Sequence, residues 1–300
     1  MQIKTVGVVG AGQMGLGIAQ VFATAGYQVV LSDQSAEAIQ QGLLAIERSL
    51  SKLEKKGLLT VTPQTSITPQ ASIAPQASIT PQDVMTNISV ASSLDDMATA
   101  QLVIEAIAEN ESAKQGLLAE LDQLCGEDTI LATNTSSISI TRLALSTQRP
   151  DKVIGMHFMN PVPVIPLLEV INSVLTSDET TDAIYSLAPH IGKTCVMSQD
   201  RPGFIVNRIL IPMINEAIFV LDEGIASAEE IDRAMVLGTA QPIGPLALAD
   251  LIGLDTCLSI MQVLYEGFQE PKYRPSPLLK QMVDSRLLGR KTKQGFFDYE

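Results

Sequence analysis

Hydrophobic positions in the first third of the chain fall into short β-branched runs separated by helical spacing. Ile3-Lys4-Thr5-Val6-Gly7-Val8-Val9 reads as a buried strand. Ile18, Val21, Phe22 and Ala25 mark a helix ended by Gly26, and Tyr27-Gln28-Val29-Val30-Leu31 is the next strand. Helical stretches follow around residues 35–56 and 112–125. Buried-strand runs recur at Leu102-Val103-Ile104-Glu105-Ala106-Ile107, Thr129-Ile130-Leu131-Ala132 and Val153-Ile154-Gly155-Met156. This alternation predicts an α/β fold with a doubly wound parallel sheet. Beyond about residue 200 the pattern turns helical: Ile205, Ile209, Ile214, Ile218 and Leu221 mark one long apolar helix. Ser227 with Glu230 predicts a capping box for another, and Ser276-Pro277 the cap and first-turn proline of a third. The chain is thus expected to hold a sheet domain over 1–199 and an all-helical domain over 200–300. A mostly apolar helix in so small a domain calls for a partner subunit to cover it.

One segment resists this fold. Residues 62–85 repeat a hexapeptide four times, as Thr-Pro-Gln-Thr-Ser-Ile, Thr-Pro-Gln-Ala-Ser-Ile, Ala-Pro-Gln-Ala-Ser-Ile and Thr-Pro-Gln-Asp-Val-Met. A proline every sixth residue forbids a long regular helix, and the units carry too little apolar surface for a solenoid. The expectation is an extended or partly disordered surface loop.

Chemistry enters at the first strand-to-helix junction, Gly10-Ala11-Gly12-Gln13-Met14-Gly15. Gly10 permits a tight turn, Gly12 lets backbone approach a pyrophosphate, and Gly15 allows close helix packing, while the helix N-terminus favours phosphate charge. Asp33, at the end of the second strand, is placed to accept hydrogen bonds from an adenosine ribose. With strand, helix and carboxylate in register, the fingerprint is that of a Rossmann-type dinucleotide site. Asp33 repels a 2′-phosphate and no arginine follows it, so NAD is expected over NADP.

The chain has two histidines. His157 follows a predicted strand and so sits at the carboxyl end of the sheet, where doubly wound folds hold ligands. Its imidazole can take a hydroxyl proton as a hydride leaves the same carbon, with Glu169 fixing the tautomer. The same spacing fits a histidine hydrogen-bonded in a core. His190, beside Gly192 at a helix end, reads as structural or exposed. Ser136, in Thr133-Asn134-Thr135-Ser136-Ser137, can bond a substrate oxygen or simply close a turn. Asn207, among apolar neighbours in the long helix, needs a partner, for which a substrate is one candidate.

Composition narrows the partners. The 300 residues are 46% hydrophobic and 18% charged, enough for a sizeable core, and the net charge of -13 argues against nucleic acid and anionic membranes. Apolar runs break before the roughly 18 residues that span a bilayer, and Met1 leads directly into a strand, so a cytoplasmic protein is expected. Cys125, Cys195 and Cys257 lie far apart without metal-ligand spacing and read as thiols in a reducing compartment, with no metal site. Against the acidic background, Arg48, Lys52, Lys55 and Lys56 share one helical face, as a solvated surface or as an anion site.

Together these motifs resemble the 3-hydroxyacyl-CoA dehydrogenase family, including its short-chain 3-hydroxybutyryl-CoA enzymes. Besides the glycine run, the likeness rests on Val103-Ile104-Glu105-Ala106-Ile107-Ala108-Glu109-Asn110, Asn134-Thr135-Ser136-Ser137 and His157-Phe158-Met159-Asn160-Pro161. Pro202-Gly203-Phe204-Ile205-Val206-Asn207-Arg208 and Gly253-Leu254-Asp255-Thr256 extend it over nearly the whole chain. The resemblance implies that His157 is the general base with Glu169 as its partner, and that Ser136 and Asn207 hold the substrate's 3-oxygen. It places Glu109, Lys114 and Asn134 at the ribose and nicotinamide of NAD, and Ser49 and Lys56 at the CoA portion of an acyl-CoA substrate. It further implies a role in fatty acid metabolism and a homodimer formed through the helical domain. The hexapeptide repeat departs from the family, falling where the second arm of a helical hairpin is expected beside the CoA-binding face. Two other readings stand beside this one: a gulonate-type sugar-acid dehydrogenase, which would not require the basic face, and a crystallin-like NAD(H)-binding protein without turnover.

Overall fold

The computed structural model describes residues 2–61 and 77–300, which divide into two compact units, Met1–Asp200 and Arg201–Glu300. Strands of the first unit are β1 (Thr5–Val9), β2 (Gln28–Ser32), β3 (Thr60–Val61), β4 (Ala77–Ser78), β5 (Ile88–Val90), β6 (Leu102–Glu105), β7 (Ile130–Thr133), β8 (Val153–Phe158), β9 (Leu167–Asn172) and β10 (Thr194–Gln199). Its helices are α1 (Gln13–Thr24), α2 (Ala36–Lys55), α3 (Pro81–Met85), α4 (Glu111–Leu124), α5 (Ile140–Ala144) and α6 (Asp178–Leu187). Eight strands form one sheet in the order β10-β9-β8-β7-β6-β1-β2-β5. Every residue of β6, β7 and β8 is buried, so both faces of the sheet are covered there; this is why those strands read as unbroken apolar runs.

The sheet is not wholly parallel as expected. Six strands run one way, but β9 is antiparallel to β8, and β10 follows β9. The physical reason is the connection: only residues 159–166 separate β8 from β9, too short for a crossover helix, so the chain must reverse. That pairing also carries β8 on to Phe158, placing His157 inside the strand rather than after it.

The repeat is corrected where it can be followed; residues 62–76 lie outside the described residues. Ala77–Ser78 pairs antiparallel with Thr60–Val61, and Pro81–Met85 is a helix rather than a loop. Pro81 occupies the first helical position, where its missing N–H costs nothing, and Thr80 and Asp83 form a reciprocal capping box.

The second unit is helical: α7 (Val206–Asp222), α8 (Ala228–Thr239), α9 (Pro245–Ile252), α10 (Leu254–Phe268) and α11 (Pro277–Asp284). Ile211, Ile214, Ile218, Leu246, Leu254, Met261, Leu264 and Leu279 make its core. Of the predicted apolar stripe, Ile214 and Ile218 are core residues, whereas Ile209 is 66% exposed. Ser227 caps α8 by accepting from Glu230 N. Ser276 does not cap α11 as predicted; its N–H donates to Asn215 Oδ1 at 2.8 Å and its hydroxyl is buried without a partner. Among the described residues, no single helix is long and apolar enough to cross a membrane.

Candidate active site

The ends of β1, β6, β7 and β8 assemble the predicted chemistry of the first unit. At the end of β1, Gly10 takes φ +116°, and a Cβ there would lie 2.5 Å from Ala106 O beyond β6. A Cβ on Gly15 would fall 1.8 Å from Gly10 O, so α1 starts hard against the turn only because that side chain is missing. Gly12, the N-cap of α1, faces open space: apart from its own chain neighbours, none of the described residues comes within 4 Å of where its Cβ would be. No side chain caps α1 and no acidic residue occupies its first turn, so its leading N–H groups face that space. An anionic pyrophosphate fits this cradle. Asp33 closes it from below, accepting from Ala11 N at 2.7 Å and from Ser35 N at 2.8 Å. Gln13 is exposed, Met14 is half-buried, and the Gln13 amide donates to Asn160 Oδ1 at 3.0 Å, linking this turn to the segment after His157.

His157 and Glu169 are direct cross-strand partners in the β8–β9 register. Nδ1 lies 2.7 Å from Oε2, with the residues 6% and 0% exposed. A carboxylate so deeply buried needs a donor, and a proton on Nδ1 supplies it. His157 is thus hydrogen-bonded in the core, with one edge of its ring fixed by Glu169.

A second network connects the loops after β6 and β7. Lys114, on α4 and 1% exposed, is held 2.5 Å from Glu105 Oε1 and 3.4 Å from Glu109 Oε2. Glu105 also accepts from Ile107 N and Thr133 Oγ1, so this buried pair is fully hydrogen-bonded, the condition that makes such a pair tolerable. Glu109 Oε1 gathers Thr135 Oγ1 at 2.6 Å, Ser137 Oγ at 2.8 Å, Ser136 N at 3.0 Å and Ser136 Oγ at 3.3 Å. Burial alone would raise the Glu109 carboxyl, but the Lys114 ammonium and the bonds from Thr135, Ser137 and Ser136 N outweigh it and hold it below the usual carboxylate value. Asn134 accepts from Phe158 N at 2.9 Å, fastening the serine loop to the strand that carries His157.

Within the first unit the fold brings together Glu109, Lys114, Asn134, Ser136, His157 and Glu169. Asn207 belongs to the second unit, as the second residue of α7, and is buried. Sequence reasoning missed Glu105, the anchor of Lys114; its signal was a lone carboxylate within the apolar run 102–107. The tie between Gln13 and Asn160, 147 residues apart, left no local signal.

The basic face lies apart on α2. Arg48, Lys52 and Lys55, with Ser51, Leu44 and Glu47, line an open groove of about 360 Å³, and none of the three cations pairs with an acid among the described residues. Ser49 is half-buried, and Lys56 is the exposed C-cap of the helix; neither lines the groove. The cysteines are free thiols, and no cluster of metal-binding side chains occurs among the described residues.

Comparison with known proteins places this geometry in a family. Residues 5–201 match the model of the 3-hydroxyacyl-CoA dehydrogenase NAD binding domain, and residues 203–299 match that of the 3-hydroxyacyl-CoA dehydrogenase C-terminal domain. A probable 3-hydroxybutyryl-CoA dehydrogenase of Bacillus subtilis is 49% identical over 300 residues, covering 100% of this chain and 99% of its own. A 3-hydroxybutyryl-CoA dehydrogenase of Bradyrhizobium diazoefficiens is 48% identical, with 99% and 96% covered. The crystal structure of (S)-3-hydroxybutyryl-CoA dehydrogenase from Ralstonia eutropha superposes with a TM-score of 0.90 at 48% identity, all of both chains being covered.

Proposed function

The chain belongs to the NAD-dependent 3-hydroxyacyl-CoA dehydrogenase family, and from that footing we propose that it interconverts a short-chain (S)-3-hydroxyacyl-CoA, foremost 3-hydroxybutyryl-CoA, and its 3-oxo form. The observation that carries the mechanism is the buried His157–Glu169 pair, 2.7 Å apart across β8 and β9. The turn of Gly10, Gly12, Gln13, Met14 and Gly15 holds the pyrophosphate of NAD, Asp33 accepts from the ribose, and Glu109, Lys114 and Asn134 lie toward the ribose and nicotinamide. When bound, NAD supplies the acceptor for the hydride that leaves substrate C3. His157 Nε2 takes the proton of the 3-hydroxyl in the same conversion, and Glu169, fully desolvated, stabilises the imidazolium that results. We assign Ser136 and Asn207 to the 3-oxygen as hydrogen-bond donors. In reduction the same imidazolium returns the proton.

Arg48, Lys52 and Lys55 on α2, with Ser49 and Lys56 beside them, are proposed to meet the phosphates of CoA, for which unpaired cations on an acidic protein are suited. That groove disfavours the sugar-acid reading, since a small sugar acid requires no such surface. The protein is further proposed to act in the cytoplasm, as a homodimer formed through the helical unit. The test is direct: purified protein should oxidise NADH when acetoacetyl-CoA is added, with NADPH a poor substitute. Binding of NADH without turnover would instead support a crystallin-like protein.

A further inference from the structure

The turn joining β8 to β9 carries the proposed proton-handling pair at its two ends, and three sets of contacts hold it besides the Gln13–Asn160 bond. Its backbone closes on itself, with Val164 N and Ile165 N both donating to Pro161 O at 3.0 Å. Val162, 2% exposed, packs on α1 at Gly17, where a Cβ would come within 2.8 Å of it. The third contact is an ammonium. Lys193, just before β10, donates from Nζ to Ile165 O at 2.6 Å and to Val162 O. Around it, Lys193 N donates to Ala188 O and Thr194 N to Pro166 O, so the lysine's own backbone is anchored at the same place.

This is a costly way to brace a turn. Lys193 is 6% exposed, and among the described residues no carboxylate pairs with it. A hydrocarbon side chain would fill the space without a desolvated charge. What the ammonium adds is direction: it draws two carbonyls to one point and so sets the spacing of residues 162 and 165. We infer that Lys193 is a positioning residue for the reaction, fixing through this turn the register of His157 on Glu169 and their placement relative to the glycine turn, to which Gln13 and Asn160 tie the same segment. The inference rests on the proton-transfer role proposed for His157.

The ammonium is also titratable in place. Burial pushes the Lys193 amine down to about 8, and the residue lines a cleft of about 420 Å³ that gives solvent access. The titratable groups on the elements around it are His190 in the same cleft, Cys195 on β10, Tyr185 on α6, and Glu54, Lys55 and Lys56 at the end of α2. Burial raises both the Cys195 thiol, to about 11, and the Tyr185 phenol, so neither changes charge near pH 8. Loss of the Lys193 proton removes the charge and one donor, loosening the hold on the two carbonyls.

Because the chain has two histidines, ¹⁵N-histidine labelling of the wild-type protein reads the His157 ring directly. We expect a small step in its ring shifts with a midpoint near pH 8, accompanied by a fall in kcat for hydroxyacyl-CoA oxidation. Lys193→Met should lose that step and lower kcat at pH 7 at least tenfold, with KM for the acyl-CoA and Kd for NADH within threefold of wild type. Lys193→Arg, which keeps its charge, should recover part of kcat and carry no fall near pH 8. A wild-type His157 ring that does not respond between pH 7 and 9 overturns the proposal, whether or not the variants fold. So does a step with the full excursion of imidazole protonation that persists in Lys193→Arg, and so does Lys193→Met with kcat within twofold of wild type. Failure of the underlying reading is seen separately, as turnover surviving in His157→Ala.

Discussion

At the scale of single residues, the carboxylates of Glu169, which is buried, and Glu109, whose side chain is 37% exposed, are set apart by their partners. Glu169 has His157 as its cross-strand neighbour, so the ring is oriented by register, and in the proposed mechanism the imidazolium would meet a fixed charge. His157→Ala is expected to lower kcat by about 10²- to 10⁴-fold. NADH affinity, measured by fluorescence titration, should stay unchanged because the glycine turn does not depend on the imidazole; equal loss of both would remove the assigned role. Glu109 instead gathers donors from three consecutive residues, Thr135 to Ser137, and faces Lys114. Its carboxyl is depressed in the folded state, so the stability it adds is present above the unfolded value and lost as pH falls through the folded one. Denaturant titrations of wild type and Glu109→Gln should therefore differ at pH 7 and draw together only in acid, once the pH has fallen below the reference range of glutamate.

At the scale of elements, helix faces were more legible than helix starts or strand ends. Ser35, Asn110, Ser177 and Ser227 each accept from the N–H three residues on, as short polar side chains before apolar repeats should. Ser227→Ala should cost about 1 kcal/mol of stability in the second unit. Ser276 shows the limit of that reading: the same residue type before a proline leaves its hydroxyl without a partner, while its N–H is held by Asn215, 61 residues distant. The basic face of α2 was legible because helical periodicity alone places Arg48, Lys52 and Lys55 together. Reversing Lys52 and Lys55 to glutamate should raise KM for acetoacetyl-CoA about tenfold, the worth of one charge-assisted hydrogen bond, and leave that of the pantetheine analogue nearly unchanged. An equal response by both substrates would dismiss the CoA assignment.

At the scale of the whole molecule, thiols and apolar surface make separable predictions. Burial pushes Cys125 and Cys195 up to about 11 and Cys257 to about 12, so none is a thiolate at neutral pH. Alkylation of the native protein at pH 7.5 should be slow at all three, and should go to completion in denaturant. Ile209, Ile225, Leu237 and Leu251 leave apolar surface exposed on the helical unit, which the proposed homodimer would cover. Leu237→Glu should then shift the sedimentation profile toward a monomer. Local pattern by itself determined the β1–α1–β2 junction, the change from sheet to helix near residue 200 and the basic face of α2, because each depends on periodicity or steric demands within a few residues. The same periodicity did not reach what the connections decide. The reversal of β9 follows from the short 159–166 connection, and the extension of β8 through His157 and the buried Glu105–Lys114 anchor follow from hydrogen bonds and desolvation that the apolar pattern does not encode. Only the tertiary structure decided that His157 faces Glu169, because cross-strand register, and not the twelve-residue spacing, brings an imidazole and a carboxylate to 2.7 Å.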